Sequence, residues 1–354
     1  MDNLLIKGEN ICGLHYLLNE KKLKGEIDLV YIDPPFATGG NFTITEGRAS
    51  TISNSRNGDI AYSDKLTGSD FIEYLRARII LLRELLSHQG SIYLHIDYKI
   101  GHYVKVMMDE VFGTNNFRND ITRIKCNPKN FDRIGYGNIK DLILFYTKTD
   151  KPIWNEPRQQ YTEKDIERLF PKIDKQGRRY TTVPIHAPGE TENGKSNMPF
   201  KGIMPPQGRH WRTNVETLEK WDEAGLIEWS STGNPRKIIY ASDREGKRVQ
   251  DVWEFKDPQY PMYPTEKNAD LLDLIIRTSS NPKSIVLDCF CGSGTTLKSA
   301  QINNRNWIGV DKSEQAIKSA IKKLATINDT LFSINTEYEY IDLNEVLSIE
   351  RDTV

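Results

Sequence analysis

Ile27-Asp28-Leu29-Val30-Tyr31-Ile32 runs directly into Asp33-Pro34-Pro35-Phe36. The first six residues read as a buried strand, being largely apolar and bounded by turn formers. Two successive prolines cannot continue a ladder, because neither has an N–H. Each also pushes the residue before it out of the helical region. The backbone beyond Asp33 is therefore stiff and extended, with carbonyls that lack local partners. A carboxylate, a free carbonyl and an aromatic ring collect at the carboxyl end of a strand, where open α/β sheets bind ligands. A planar heterocycle with an exocyclic amine fits that cluster. The amine donates to Asp33 and the Pro34 carbonyl, and the ring stacks on Phe36. Alone, the four residues also suit an ordinary strand-ending turn.

Upstream, Leu4-Leu5-Ile6 reads as a short strand, followed by a helix with Ile11, Leu14, Leu17 and Leu18 on one face. Glu9 falls between them, placed to accept from an amine or hydroxyl, or simply to sit at a helix start. Downstream, 37–68 is rich in Gly, Ser, Asn and Thr and reads as a mobile flap leaving the site. Ser69 or Asp70 then caps a helix carrying Phe71, Leu75, Ile79, Leu82 and Leu86, which Gly90 stops. A strand over 91–96, a helix over 104–112 and strands over 121–125 and 142–147 follow. The last two strands flank a basic loop with Lys129, Arg133 and Lys140. This is the pattern of a doubly wound sheet with an antiparallel edge.

The alternation stops near Lys151. Five of the six tryptophans (Trp154, Trp211, Trp221, Trp229 and Trp253) lie in 151–258, which reads as a separate inserted module. Its basic stretches, Gly208-Arg209-His210-Trp211-Arg212 and Pro235-Arg236-Lys237, suit phosphate contacts and base stacking. They equally suit a small aromatic core with solvated arginines.

The α/β order then resumes. A helix carries Leu271, Leu272, Ile275 and Ile276. The strand Ser284–Asp288 meets the Gly-rich turn Cys289-Phe290-Cys291-Gly292-Ser293-Gly294-Thr295-Thr296, and a second strand ends at Asp311. Strand, Gly-x-Gly turn, helix and strand with an acid at its tip form a nucleoside-binding unit. Leu297 stands where a third glycine would, and no Gly-Lys-Ser/Thr ending is present. A nucleoside without pyrophosphate is the better reading.

Composition sets the outer bounds. The 354 residues are 38% hydrophobic and 27% charged, as in soluble globular proteins, and the net charge of −1 leaves nucleic acid open. Cys12, Cys126, Cys289 and Cys291 fit neither a metal pattern nor a disulfide framework, so a reducing cytoplasm is expected. No run approaches a membrane span.

Phe290-Cys291-Gly292-Ser293-Gly294-Thr295 resembles the S-adenosylmethionine loop of DNA amino-methyltransferases, and Asp33-Pro34-Pro35-Phe36 resembles their catalytic motif. Tyr263-Pro264-Thr265-Glu266-Lys267 is similar to their third cofactor motif, with Tyr263 in place of the commoner His. Glu9 stands where the family often has Asp. Catalytic motif first and cofactor loop last is the order of the β group, found in Type II and Type III restriction–modification systems. The resemblance covers nearly the whole chain and is weakest over 151–258.

It implies a Rossmann-like, seven-stranded mixed sheet of the class I methyltransferase fold, circularly permuted. The catalytic half spans 1–150, an inserted target-recognition domain 151–258, and the cofactor half 259–354. Asp33, Pro34, Pro35 and Phe36 are the implied catalytic residues. Glu9, Thr265, Lys267, Asp288, Phe290, Gly292, Gly294, Thr295 and Asp311 are the implied contacts to S-adenosylmethionine. Arg209, Trp211, Arg212, Arg236 and Lys237 are expected to contact double-stranded DNA. The expected reaction is methylation of adenine N6, without metal or covalent cysteine. Cytosine N4, an RNA substrate, a non-catalytic DNA-binding subunit and a nucleotide-dependent oxidoreductase are the alternatives. A cognate nuclease and a homodimer are compatible with the resemblance.

Overall fold

The computed structural model describes residues 2–35, 41–45, 48–50, 59–63, 68–128, 132, 134–189, 194–257, 267–328 and 337–344, with backbone alone over 41–63. The chain divides into two compact units, Met1–Pro157 with Gln250–Val354, and Arg158–Val249.

The first unit is built on one nine-stranded sheet. Its strands are β1 (Asn3–Lys7), β2 (Ile27–Ile32), β3 (Leu86–Ile96), β4 (Phe117–Ile124), β5 (Lys140–Thr147), β6 (Val252–Glu254), β7 (Ile285–Asp288), β8 (Asn306–Asp311) and β9 (Tyr338–Asp342). They lie in the order β6-β4-β5-β3-β2-β7-β8-β1-β9. β5 runs antiparallel to β3 and β4, and every other pair is parallel. At the centre, β2 and β7 come from opposite ends of the chain, with Val30 opposite Leu287. This order is consistent with circular permutation of a class I methyltransferase sheet.

The expected seven strands are extended by one at each edge. β9 pairs along β1, and β6, from the stretch expected in the inserted module, pairs along β4. Each added strand satisfies backbone groups that an open edge would leave exposed.

Alternation along the strands separates two faces. Leu4, Ile6, Val30, Ile32, Ile92, Leu94, Ile96, Leu142 and Leu144 share a core cluster with buried residues of α1 (Asn10–Asn19), α2 (Ser69–Leu85) and α3 (Gly101–Phe112). The opposite face carries Tyr31, Tyr93, His95, Ile143 and Phe145. There the Tyr93 hydroxyl meets Ser279 Oγ of α4 (Ala269–Ser279) at 2.8 Å. Helix α4 packs against α5 (Thr295–Ile302), and α5 against α6 (Glu314–Asn328).

Three local expectations change. Gly68, at φ +58°, caps α2, and neither Ser69 nor Asp70 does so. Gly90 does not stop that helix, which ends at Leu85. It lies inside β3, where a Cβ would stand 2.9 Å from the Ile27 carbonyl oxygen. Within 37–68, Asn41–Thr45 pairs antiparallel with Arg48–Ser50 and Asp59–Ser63, so this stretch contains a small sheet. The remainder of that flap lies outside the described residues, as do Lys129 and Arg133.

In the second unit, Lys172–Ile173, Arg179–Pro184, Pro235–Tyr240 and Ile227–Trp229 form a four-stranded antiparallel sheet. Ile185, Phe200, Trp211 and Leu218 make a separate small core. Among the described residues, no helix is long and apolar enough to cross a membrane.

Candidate active site

Parallel strands put their carboxyl ends at one edge of a sheet, so β1, β8, β7 and β2 bring Glu9, Asp311, Asp288 and Asp33 to the same edge. The register confirms it, with Lys7 opposite Asp311, Asp288 opposite Gly309 and Leu287 opposite Val30.

The turn after β7 needs its glycines. Gly292 and Gly294 have φ +49° and +76°, where L side chains are strained. A Cβ on Gly294 would also stand 2.8 Å from Ala320 Cβ. The acids here brace the turn. Asp288 accepts from the Phe290 N–H at 3.0 Å and the Thr296 hydroxyl at 2.6 Å. Asp311 accepts from the N–H groups of Gly292 at 2.9 Å and Ser313 at 2.8 Å. Burial pushes the Asp288 carboxyl up to about 7 and raises Asp311 as well. Asp288, expected to contact the cofactor, is 2% exposed and holds the loop from beneath.

Lys323, on α6, was missed by sequence reasoning. Buried under the loop, it donates to Ser293 Oγ at 2.9 Å and Thr295 Oγ1 at 2.7 Å. Leu297 fits because Gly309 faces it: a Cβ there would meet Leu297 Cδ1 at 2.5 Å. Phe290 is partly buried against the core, and Glu9 stays half exposed, 3.2 Å from Lys312 Nζ. Cys289 and Cys291 are buried, and burial raises both thiols.

Asp33 sits at the end of a polar row crossing four strands on the second face of the sheet. Tyr31, two residues earlier, places its hydroxyl 3.0 Å from His95 Nδ1 on β3. His95 Nε2 lies 3.3 Å from Asp141 Oδ2 on β5. Asp141 pairs with Lys125 Nζ at 2.6 Å, and Arg123 Nη1 lies 3.7 Å away. Arg123 is held in turn by the Phe255 carbonyl at 2.8 Å and Asp257 at 2.5 Å. Burial alone would raise the Asp141 carboxyl, yet His95 and Lys125 hold it well below the usual carboxylate range. Burial and then Lys267 push His95 below its ordinary value.

Lys267 Nζ is 2.7 Å from Asp33 Oδ2. The resemblance implied a cofactor contact for this lysine, and here its ammonium engages the catalytic-motif carboxylate. Asp33 Oδ1 is buried and has no hydrogen-bond partner among the described residues. Its distance to His95 Nδ1 is 3.8 Å. Pro34 is buried and Pro35 half-buried. Phe36 and Thr265 lie outside the described residues.

In the second unit, three of the five expected DNA contacts gather around His186. Arg209 Nη1 lies 3.1 Å from its Nδ1, Arg212 Nε donates to its carbonyl at 3.2 Å, and Arg236 adds to the positive field. Trp211 does not join them: it is fully buried, and its indole N–H donates to the Met198 carbonyl at 2.9 Å. Lys237 points to the other side of its strand, 3.6 Å over the Trp221 ring. Trp229, 40% exposed and stacked on Phe200, is the more accessible aromatic.

Comparison with known proteins gives the family. A family model described as DNA methylase matches residues 27–323. The chain is 40% identical to the type II methyltransferase M.EcaI of Enterobacter cloacae, over 92% of this chain and 70% of that one. It is 25% identical to the type III restriction-modification enzyme StyLTI Mod subunit of Salmonella typhimurium, over 85% and 50% respectively. Against type III Mod subunits the chain spans between 50% and 58% of their length. The solved structure of the PvuII DNA methyltransferase (cytosine-N4-specific) shares the fold, with a TM-score of 0.51 at 12% identity over 97% of this chain and 96% of that one. The chain belongs to the DNA methylase family, among the amino-methyltransferases of restriction–modification type.

Proposed function

We propose that this chain transfers a methyl group from S-adenosylmethionine to an exocyclic amine of double-stranded DNA, namely N6 of adenine. We propose further that residues 158–249 read the target sequence, and that a cognate nuclease completes a restriction–modification system. The observation that carries the reading is the buried Oδ1 of Asp33, without a hydrogen bond among the described residues, one strand away from a glycine loop suited to a nucleoside.

The residues present fit the cofactor. Gly292 and Gly294 let the turn adopt the positive φ that brings backbone close to a ligand, and Glu9 and Asp311 suit hydroxyl-bearing or cationic groups better than a pyrophosphate. When bound, S-adenosylmethionine supplies an electrophilic methyl on a sulfonium centre. The duplex hides the amine, so the base must be flipped to reach Asp33. The amine lone pair is delocalised into the ring and is a poor nucleophile. Asp33 Oδ1 and the Pro34 carbonyl accept its two N–H bonds and favour tetrahedral nitrogen, which directs the lone pair at the methyl. Phe36 stacks on the base. Positioning lowers much of the barrier; the positive charge passes from sulfur to nitrogen, and the proton that the methylated nitrogen must lose would go to the accepting Asp33 carboxylate. The adenine preference comes from the family pattern, in which Asp in the first motif position mostly accompanies adenine.

DNA labelled with methyl-tritiated cofactor and digested to nucleosides is the test. Label in N6-methyladenine is expected. Label in N4-methylcytosine would remove the adenine assignment alone, and unlabelled DNA would remove the whole reading.

A further inference from the structure

Asp33 has two carboxylate oxygens with different surroundings. Oδ2 is held by Lys267 at 2.7 Å, whereas Oδ1 is buried without a hydrogen bond among the described residues. Buried acceptors are rarely left so, and the exceptions call for a reason. The neighbour on that side is His95, fully buried, whose Nδ1 stands 3.8 Å from Oδ1.

The state of His95 follows from its partners. A carboxylate, Asp141, faces Nε2 and a hydroxyl, Tyr31, faces Nδ1. A neutral imidazole between them carries its proton on Nε2, donates to Asp141 and accepts from Tyr31. Nδ1 is then an acceptor opposite another acceptor, so it cannot satisfy Asp33. We infer that His95 is a positioning residue acting through Asp33: with its tautomer fixed by Tyr31 and Asp141, it leaves Oδ1 open to the target amine. This rests on the methyl-transfer reading above.

Protonation of His95 would reverse the arrangement. Nδ1–H would become a donor with the Tyr31 oxygen at 3.0 Å and Asp33 Oδ1 at 3.8 Å, and the new positive charge beside Oδ1 would compete with the amine. Among the described residues, the charged and titratable groups facing His95 include Tyr31 of β2, Asp33 just after it, Asp141 of β5 and Lys267 from the segment before α4, with Arg123 of β4 and Lys125 just after it beyond Asp141. Burial and Lys267 set its titration below the ordinary histidine value of 6.5. Methyl transfer therefore needs the unprotonated form and is lost as pH falls through that titration.

The test is single-turnover methyl transfer against pH for wild type, His95→Leu and His95→Gln, with calorimetry of S-adenosylhomocysteine binding on each. His95→Leu offers Oδ1 no donor either, but it frees the Tyr31 hydroxyl, two residues from Asp33, to donate elsewhere and leaves Asp141 without its partner; it should slow transfer by about tenfold or more, with cofactor affinity kept. His95→Gln keeps one donor for Asp141 and one acceptor for Tyr31. It should restore the rate at pH 8 to within about threefold of wild type while losing the acid limb of the profile. An acid limb unchanged in His95→Gln, or wild-type rates in His95→Leu, would overturn the inference. ¹⁵N spectra of wild type give a second reading: the Nε2–H tautomer is expected, and an Nδ1–H tautomer would also overturn it. If wild type methylates DNA and Asp33→Ala does not, such failures leave the proposed function standing. If wild type itself transfers no methyl group, that function fails and the inference with it.

Discussion

Lys267 Nζ lies 2.7 Å from Asp33 Oδ2, joining the tip of β2 to the segment that leads into α4, with both side chains largely buried. Only the fold brings this pair together. Truncating one partner of such a pair leaves an uncompensated charge, so the two should act together. Lys267→Met is expected to lower the methyl-transfer rate by about tenfold or more while S-adenosylhomocysteine affinity stays within a few-fold. A large loss of affinity at unchanged rate would return Lys267 to the cofactor contacts.

Gly294→Val should cripple the loop after β7. Its φ of +76° costs a β-branched residue about 1–2 kcal/mol, and the new Cβ would meet Ala320. Lower thermal stability with loss of S-adenosylhomocysteine binding is expected. Wild-type affinity would mean that the ligand does not approach this turn.

Asp288 should make stability depend on pH. Burial raises its carboxyl from 3.8 to about 7 in the folded chain, so between these values the native state binds more protons than the unfolded one. Its contribution is full below the unfolded value and is lost as pH rises through about 7. Asp288→Asn should remove this loss. Urea unfolding of both proteins at several pH values measures the difference, which should grow in favour of Asn from pH 4 to pH 7. A difference independent of pH would contradict the buried-carboxyl account.

Residues 209–212 should separate into two kinds. Arg209→Ala and Arg212→Ala should weaken DNA binding without changing cofactor affinity. A phosphate contact lowers the salt slope by about one, whereas a guanine contact costs about 1–3 kcal/mol on the cognate site alone. Trp211→Ala should instead destabilise the second unit by about 3–5 kcal/mol, because that ring is core. DNA binding by both arginine variants equal to wild type would make the cluster around His186 a packing feature.

What was legible in the sequence was local or periodic. Two prolines end β2 wherever the strand lies, two glycines meet positive φ in the turn after β7, and apolar steps of three and four mark α2 and α4. Circular order was readable because two incomplete halves of one sheet need each other. The sheet edges and helix ends were less legible. Gly90 behaves as a strand residue because the Ile27 carbonyl stands beside it, and β6 and β9 join edges that propensity does not announce. The residues around Asp33 were hidden altogether. Tyr31, His95, Asp141 and Arg123 belong to no sequence motif, and only register across β2, β3, β5 and β4 brings them into one row. Trp211 shows the same limit in reverse, since a basic-aromatic run cannot say which side its ring faces. By itself, the sequence determined the end of β2 and the glycine turn after β7, because those follow from backbone sterics, while the class of chemistry came from the resemblance of its motifs to a family. The partner of each buried charge was decided by tertiary structure alone, because pairing energy depends on distance and burial, which strand register and packing set.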